Sequence, residues 1–174
     1  EAGDPGRQRD LLLRAAEAAS GLPAAEQEVA PSLLAFCRTS PSDAEAARAL
    51  EDLLEREPRA RAEAFLELAD AAPAGAVRAA RLVSAAAALA ESGQAIRHRE
   101  AVQAAFETWP LDEATFRAAL AWAEGDLEAT ESILLLRATA VPGEAAACHR
   151  ARADLLLSSG RPGPAARAYE SCLA

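Results

Sequence analysis

Histidine and cysteine are the residues of this chain whose chemistry could support a metal site. His98 and His149 are its two imidazoles, and Cys37, Cys148 and Cys172 are its three thiols. A zinc site needs ligands at close spacing, such as C-x-x-C or H-E-x-x-H, and neither pattern occurs. Cys148 and His149 are adjacent, but neighbouring side chains on a helix point about 100° apart, which disfavours joint coordination. We therefore expect no metal and no other cofactor.

Sequence patterns of nucleotide-binding and acyl-transfer enzymes do not occur either. The phosphate-binding pattern G-x-x-x-x-G-K-[ST] requires lysine, and all 18 basic residues are arginine. The G-x-S-x-G turn of many hydrolases is not found. Carboxylates are abundant, as at Glu124, Asp126 and Glu128, but charge runs on helices usually form solvated faces. The sequence therefore favours a protein that is not an enzyme.

The cysteines indicate a cellular compartment. Three thiols cannot all pair internally and are too few for a disulfide scaffold. We therefore expect a reducing compartment, and hence the cytoplasm. Cys148 and Cys172 lie at opposite ends of two predicted antiparallel helices and could approach each other, so a single disulfide stays open as an alternative.

The composition favours helices and excludes a β-rich fold. Alanine accounts for 49 of the 174 residues, whereas lysine, asparagine and methionine do not occur. Alanine, leucine, arginine and glutamate form helices readily, and the residues that suit strands are few. With 51% apolar residues, the chain carries too much hydrophobic material for a disordered acidic tail. We predict an all-α fold without a sheet.

Charge and apolar run length limit the possible partners. The net charge is -9 and the isoelectric point is about 4.8. Nucleic-acid affinity comes largely from clustered Lys and Arg, so DNA and RNA are not expected. The longest apolar run, residues 85–90, is far short of the roughly 18 residues that indicate a membrane span. The chain begins at Glu1 without a methionine and shows no signal peptide, so we expect a segment of a longer protein.

Proline and glycine recur with a period of about 34 residues, which is typical of helical repeats. Because both residues interrupt helices, their positions predict helix boundaries. One series is Pro41, Pro73, Pro110 and Pro142, and the other is Gly21, Pro58, Gly93, Gly125 and Gly160. Two interleaved series predict helix pairs, and each pair must stack on its neighbours to bury its apolar stripe.

Apolar periodicity between these breakers predicts ten helices. They are expected near residues 6–20, 24–38, 43–57, 59–71, 75–92, 95–109, 112–124, 126–140, 144–159 and 164–173. Pro31 lies inside the second helix and should bend or split it. Ser42 with Glu45 fits a capping box, and Asp4 before Pro5 fits a helix start.

The C-terminal segments carry small and large residues at fixed places. In the last segment these residues are Ala153, Leu156, Gly160, Ala165, Tyr169 and Cys172. In residues 111–144 they are Ala118, Gly125, Leu134 and Pro142. This pattern resembles the tetratricopeptide repeat, although Thr130 and Arg137 stand where that family has small residues.

The resemblance implies an α-solenoid of about five antiparallel helix pairs in a right-handed superhelix. Residues 41–174 would form about four helix pairs as part of a longer array, and residues 1–40 would form an N-terminal helical cap or degenerate repeat. The packing positions of the repeat imply that the following residues are buried: Ala118, Leu134, Ala153, Leu156, Ala165 and Tyr169. A compact all-α bundle, or another α-solenoid with helix pairs of this size, is the alternative architecture.

In tetratricopeptide repeats, the first helix of each pair lines a concave groove that contacts a peptide or a partner protein. The resemblance therefore implies these groove residues: Asp112, Thr115, Trp122, Arg150, Asp154 and Leu157. Trp122 would be an anchor, because aromatic side chains dominate interface energetics, or it would instead pack between repeats. On the corresponding first helix upstream lie Arg48, Glu51, Asp52 and Glu55.

We therefore expect a non-enzymatic scaffold segment that binds a protein or peptide. Family members that grip a terminal carboxylate use Lys, Arg and Asn, and this chain has no Lys or Asn. Its acidic balance favours a partner with a basic or mixed surface. The alternatives are a ligand- or segment-sensing domain of a larger regulator or kinase, and an oligomerisation module. The alanine and arginine bias suggests a GC-rich, bacterial genome.

Overall fold

The computed structural model of the protein describes residues 4–173, and its regular structure is helical. The α-helices are α1 (Pro5–Ala19), α2 (Pro23–Thr39), α3 (Ala44–Leu53), α4 (Pro58–Ala71), α5 (Ala76–Glu91), α6 (Ala95–Thr108), α7 (Glu113–Trp122), α8 (Leu127–Ala140), α9 (Ala145–Ser158) and α10 (Pro162–Glu170). A short 3₁₀ helix, Pro142–Glu144, precedes α9. No strand occurs among residues 4–173. All ten predicted helices are found, so the all-α prediction is confirmed.

Capping side chains explain where several helices begin. Asp4 caps α1 as expected, because its carboxylate accepts a backbone hydrogen bond at 3.0 Å. The predicted capping box at Ser42 is wrong. Asp43 caps α3 instead, by accepting a hydrogen bond from the N–H of Ala46 at 3.0 Å. The helix therefore begins one residue later than the Ser42 pattern indicates.

The helix breakers act as predicted at helix ends, whereas Pro31 leaves α2 continuous. Gly125 follows α7 with a φ of 87°, and Gly160 follows α9 with a φ of 71°. Both lie in the left-handed region, which glycine adopts without strain. Pro31 does not split α2, which is continuous from Pro23 to Thr39. Because proline has no N–H, the carbonyl of Gln27 loses its regular helical donor.

The chain divides into two compact units, Glu1–Ala101 and Val102–Ala174. The boundary falls within α6, so the first half of this helix belongs to unit 1 and the second half to unit 2. Unit 1 thus contains both the segment expected as a cap, residues 1–40, and helices of the first predicted repeats.

In unit 1, α1 and α2 each pack against the next helix and against the next but one. α1 contacts α2 and α3, α2 contacts α3 and α4, and α4 contacts α5. Leu33, Leu50, Phe65 and Leu68 fill the core and are almost fully buried. Small alanines between these large side chains let the helices approach closely. Unit 1 is therefore held together by contacts between helices that lie one and two places apart in the chain.

Side-chain hydrogen bonds in unit 1 join alternate helices near their starts. Arg9 Nε of α1 donates to Asp43 Oδ2 at the start of α3, 34 residues away, at 2.6 Å. Gln27 Nε2 of α2 donates to Glu57 Oε1 at the start of α4, 30 residues away, at 3.1 Å. These hydrogen bonds bring the start of α1 close to the start of α3, and the start of α2 close to the start of α4. We therefore describe α1 as parallel to α3, and α2 as parallel to α4.

In unit 2, α7 packs on α8, α8 on α9, and α9 on α10. The predicted burial of Leu134, Ala153, Leu156 and Ala165 is confirmed. The predicted burial of Ala118 is wrong, because its side chain is exposed and the neighbouring Ala119 is fully buried instead. The buried stripe of α7 lies one residue later than the proline and glycine positions indicate.

The predicted burial of Tyr169 is also wrong. This residue is 38% exposed, and its hydroxyl donates a hydrogen bond to the carboxylate of Asp154. Ala168 occupies the buried position of α10 in its place. A phenol that can reach a carboxylate at the surface has a partner there, which an apolar site would not supply.

Arg137 of α8 is a buried cation at the centre of unit 2 and is 2% exposed. Its Nε and Nη2 atoms donate to the two carboxylate oxygens of Glu144 at 2.8 and 2.9 Å. Nη2 also donates to Glu113 at 2.8 Å, and Nη1 donates to the carbonyl of Pro110 at 2.8 Å. The guanidinium carbon lies 4.9 Å from the ring centroid of Phe116. We call this group the Arg137 cluster.

No described helix combines the length and the apolar character that a membrane crossing requires.

Candidate functional site

A surface cleft of about 480 Å³ lies between α1 and α3, the first helices of two successive pairs. We call it the α1–α3 cleft. It is lined by Leu13, Arg14, Ala16, Glu17, Ser20, Glu45, Arg48, Ala49, Asp52 and Leu53. Leu13, Ala16 and Leu53 supply an apolar floor, and charged side chains stand around it. The cleft is large enough to receive side chains of another protein.

Helical spacing explains how the sequence builds this cleft. Ala16 of α1 is buried, and Ala49 of α3 is half-buried, so small side chains lie where the two helices face each other. Arg14 and Glu17 are three residues apart on α1, which places them on one face of the helix. Arg48 and Asp52 are four residues apart on α3 and likewise share a face. The apolar side chains pack α1 against α3, and the charged side chains border the opening of the cleft.

One end of the cleft is held by an ion-pair network. Arg9 donates to Asp43 and also to Glu45, which lines the cleft. Burial of Asp43 by itself would raise its pKa, but the N–H of Ala46 and the guanidinium of Arg9 together hold the pKa below its usual value. The charges at this end are therefore satisfied within the fold.

The charges farther along the cleft have no such partners. Arg14, Glu17, Arg48 and Asp52 are exposed, and none of them forms an ion pair or a side-chain hydrogen bond within residues 4–173. Elsewhere in the described chain, arginines such as Arg61, Arg97 and Arg152 are paired with glutamate. Two cations and two anions thus surround an apolar floor and leave their donors and acceptors available to another molecule.

The predicted residues of α9 lie together on its exposed side. Arg150, Asp154 and Leu157 follow one another at intervals of four and three residues and are all exposed, Leu157 by 52%. Arg150 forms no ion pair within residues 4–173. Asp154 accepts the hydrogen bond from Tyr169, and this bond raises the pKa of the Tyr169 hydroxyl. Arg150, Asp154 and Leu157 form an exposed surface, which we call the α9 face, and its contact with a partner stays a prediction.

The predicted residues of α7 serve the fold instead. Thr115 is 4% exposed, so its expected contact with a partner is wrong. Asp112 caps α7 by accepting from the N–H of Thr115 at 2.7 Å, and its carboxylate also accepts from the Thr115 hydroxyl. These two bonds lower the pKa of Asp112. Trp122 is half-buried and borders a small cavity of about 40 Å³ together with Phe106 and Ile133.

The side of α7 that is open to solvent carries different residues. Arg117 and Leu120 of this helix, Glu124 in the turn after it and Leu155 of α9 line a second cleft of about 490 Å³, which we call the α7–α9 cleft. Sequence reasoning missed this cleft because it placed the buried stripe of α7 one residue too early. The sequence signal was the pair Ala119 and Ala123, which are four residues apart and therefore share one helix face. It was overlooked because the register was counted back from Gly125.

Sequence reasoning found part of the α1–α3 cleft. Arg48 and Asp52, expected on the first-helix face, do line it, whereas Glu51 and Glu55 do not. The α1 side was missed because residues 1–40 show no convincing repeat pattern. Its signal was the run from Leu13 to Glu17, in which apolar and charged residues alternate at helical spacing.

Groups capable of metal or thiol chemistry are not assembled into a site in the described chain. Cys37, Cys148 and Cys172 are free thiols, and burial raises the pKa of Cys37 to about 11. A thiol with a raised pKa is a poor nucleophile at neutral pH. His98 Nδ1 lies 2.9 Å from the carbonyl of Ala86. No group of three or more potential metal ligands occurs within residues 4–173.

Comparison of the chain with models of protein families gives no match, and comparison with curated proteins gives none either, so the clefts must be interpreted from their own geometry.

Proposed function

We propose that this chain is a non-enzymatic protein-interaction scaffold built from tetratricopeptide-like helix pairs, and that it binds a partner protein through the first helices of those pairs. The α1–α3 cleft is the main contact site in unit 1. The α9 face is the corresponding contact surface in unit 2. The proposed location is a reducing, cytoplasmic compartment, which the free thiols support, and the proposed source is bacterial.

The observation that carries this proposal is the set of unpaired charges at the α1–α3 cleft. An isolated surface ion pair contributes little to folding, at most about 1 kcal/mol, so exposed charges can remain unpaired without destabilising the protein. Arg14, Glu17, Arg48 and Asp52 surround an apolar floor, an arrangement that resembles the polar rim and apolar centre of protein interfaces.

The repeat character of unit 1 supports the proposed α-solenoid stacking. Arg9 reaches Asp43 across 34 residues, and Arg97 Nη2 reaches Glu63 across 34 residues at 3.1 Å. Contacts that recur at this separation join equivalent places on successive helix pairs. Parallel packing of α1 with α3 and of α2 with α4 is the arrangement that stacked pairs require.

The cleft also indicates the chemistry of the partner. Its unpaired charges have both signs, so a complementary partner presents a mixed surface, with an aliphatic side chain for the floor of Leu13, Ala16 and Leu53. Rim charges of this kind act mainly on the association rate and its salt dependence, whereas the apolar contact supplies most of the affinity.

Site-specific photo-crosslinking in cells tests the proposal. A benzoylphenylalanine replaces Asp52 in the cleft, and a matched protein carries it at Glu128, an exposed position of α8 that lines neither the α1–α3 cleft nor the α7–α9 cleft. We expect a discrete crosslinked protein from position 52 and none from position 128. Adding Arg48→Glu to the position-52 protein should weaken the crosslink severalfold.

Two further controls are needed for this test. Circular dichroism must show unchanged helix content in every variant. Arg56→Glu, an exposed arginine outside the cleft, should leave the crosslink at position 52 intact. Equal crosslinking from positions 52 and 128, or a crosslink of unchanged intensity in the Arg48→Glu protein, would overturn the proposal.

A further inference from the structure

A second apolar groove lies on another part of unit 1, where α2, α3 and α4 meet. It encloses about 400 Å³. Its floor is formed by Ala30, Leu34, Leu50, Leu54 and Ala64. Leu34 and Leu54 remain half-buried, so apolar surface stays in contact with water there. We call this site the α2–α4 groove.

The charged residues that line the α2–α4 groove are all acidic. They are Glu57, Glu63 and Glu67 of the α4 segment, and no arginine lines the groove. Glu63 is paired with Arg97, and Glu67 is paired with Arg38 at 2.9 Å. Glu57 accepts a hydrogen bond only from the neutral amide of Gln27, so its negative charge has no cationic partner within residues 4–173.

The backbone adds a second acceptor to the same groove. Pro31 lines the groove and cannot donate to the carbonyl of Gln27, one helical turn earlier on the same side of α2. The side chain of Gln27 donates to Glu57 at 3.1 Å, so the two residues border the same part of the groove. The carbonyl of Gln27 and the carboxylate of Glu57 can both accept hydrogen bonds.

We propose that the α2–α4 groove binds a basic amphipathic segment of a partner protein. An aliphatic side chain of that segment rests on Leu34 and Leu54, and a lysine or arginine donates to the carboxylate of Glu57. The occupant follows from charge complementarity, since every charged residue of the groove is acidic and its only unpaired one is Glu57. This site is separate from the α1–α3 cleft, whose unpaired charges have both signs.

Nuclear magnetic resonance titration with defined peptides tests this assignment. The probe is a synthetic peptide with the repeating pattern LKKLLKL, which forms an amphipathic helix with leucine on one face. The comparison peptides replace every lysine with glutamate or every leucine with glutamine. We expect saturable shifts of the Leu34 and Leu54 methyl signals with the first peptide alone, because both the charge and the apolar face are required.

Two variants of the protein make the test specific. Ala60→Trp fills the groove from the half-buried start of α4 and should weaken binding more than tenfold. Glu57→Gln removes the unpaired charge and should weaken binding about threefold, the size expected of a rim charge. Glu128→Gln removes one exposed charge elsewhere and should leave the affinity unchanged.

Two results would contradict binding in the α2–α4 groove. Peptide-induced shifts centred on Leu13 and Leu53 would place binding in the α1–α3 cleft and overturn this assignment. An equal loss of affinity for Glu57→Gln and Glu128→Gln would show attraction to overall negative charge and would also overturn it. Because the peptide titration does not involve Asp52 or Arg48, its result and that of the crosslinking test are independent.

Discussion

Arginine has opposite roles in the Arg137 cluster of unit 2 and in the α1–α3 cleft of unit 1. Arg137 is buried, and each of its three nitrogens donates to an acceptor of the fold. Arg48 in the cleft is exposed and has no ion-pair partner within residues 4–173. The same side-chain type therefore contributes to stability in one region and remains available for binding in the other.

The physical reason for the difference is desolvation. A buried guanidinium that lost its partners would be strongly destabilising, so the acceptors around Arg137 are indispensable. An exposed guanidinium keeps its hydration and needs no partner in the folded protein. Only a side chain of the second kind can exchange water for a partner protein without disrupting its own fold.

The largest expected effect comes from comparing two neighbouring leucines, one buried and one exposed. Leu156 is completely buried in unit 2, whereas Leu157 on the α9 face is 52% exposed. We expect Leu156→Ala to lower the free energy of unfolding by about 2 to 5 kcal/mol, because it leaves a cavity in the core. Leu157→Ala should change it by less than about 0.5 kcal/mol. Urea denaturation measures both, and similar losses for the two variants would show that the register of α9 is wrong.

Replacing the two arginines tests the comparison itself. Arg137→Ala should cost about 3 kcal/mol, near the lower limit for breaking a buried ion pair, because Glu113 and Glu144 stay partly solvated. Arg48→Ala should cost less than about 0.5 kcal/mol. The measurement is again urea denaturation at neutral pH. A small effect of Arg137→Ala would mean that its hydrogen bonds contribute no more than exposed ones do.

The cap of α7 should give a smaller effect that depends on pH. Asp112→Ala removes the N-cap and should cost about 1 kcal/mol at neutral pH. Hydrogen bonds from the hydroxyl and N–H of Thr115 lower the pKa of Asp112 in the folded state, from an ordinary value of 3.8. The carboxylate therefore stabilises the fold above that value, and its contribution is lost as the pH falls through the lowered pKa.

Unfolding of the two proteins between pH 7 and pH 2.5 measures this cap effect, and the difference should shrink below about pH 3.8. Ser42→Ala is the matched control, because Ser42 is exposed and Asp43 rather than Ser42 caps α3. A constant difference across this range, or an equal effect of Ser42→Ala, would contradict the assigned caps.

The sequence predicted where the helices lie far better than it predicted which face of each helix is buried. Breaker residues such as Gly125 and Gly160 fix where helices end, because their effect on the backbone is local. Which face of a helix is buried depends on the helices packed around it, so the one-residue displacement of the buried stripe from Ala118 to Ala119 could not be derived from Gly125. Thr115, a candidate residue of α7, is buried for that reason. The candidate residues of α9, whose register is fixed by Ala153 and Leu156, are exposed, and their contact with a partner stays a prediction.

The partners of charged side chains were beyond sequence reasoning altogether. Arg137 looked like a departure from the repeat pattern, yet Glu113, Glu144 and the carbonyl of Pro110 satisfy it. These acceptors come from separate segments, and only the packed structure brings them together. For the same reason, the sequence could place Arg48 on a helix face but could not show that it has no ion pair.

The most direct test of the central claim is calorimetric titration with the partner protein that is identified by crosslinking from position 52. The unmodified chain, Arg48→Glu and Arg56→Glu are titrated with that partner at low and at high salt. We predict that Arg48→Glu weakens binding at least fivefold at low salt and less at high salt, while its free energy of unfolding and the affinity of Arg56→Glu stay unchanged. Unchanged affinity for Arg48→Glu, or equal losses for both variants, would contradict the claim that the α1–α3 cleft is the binding site.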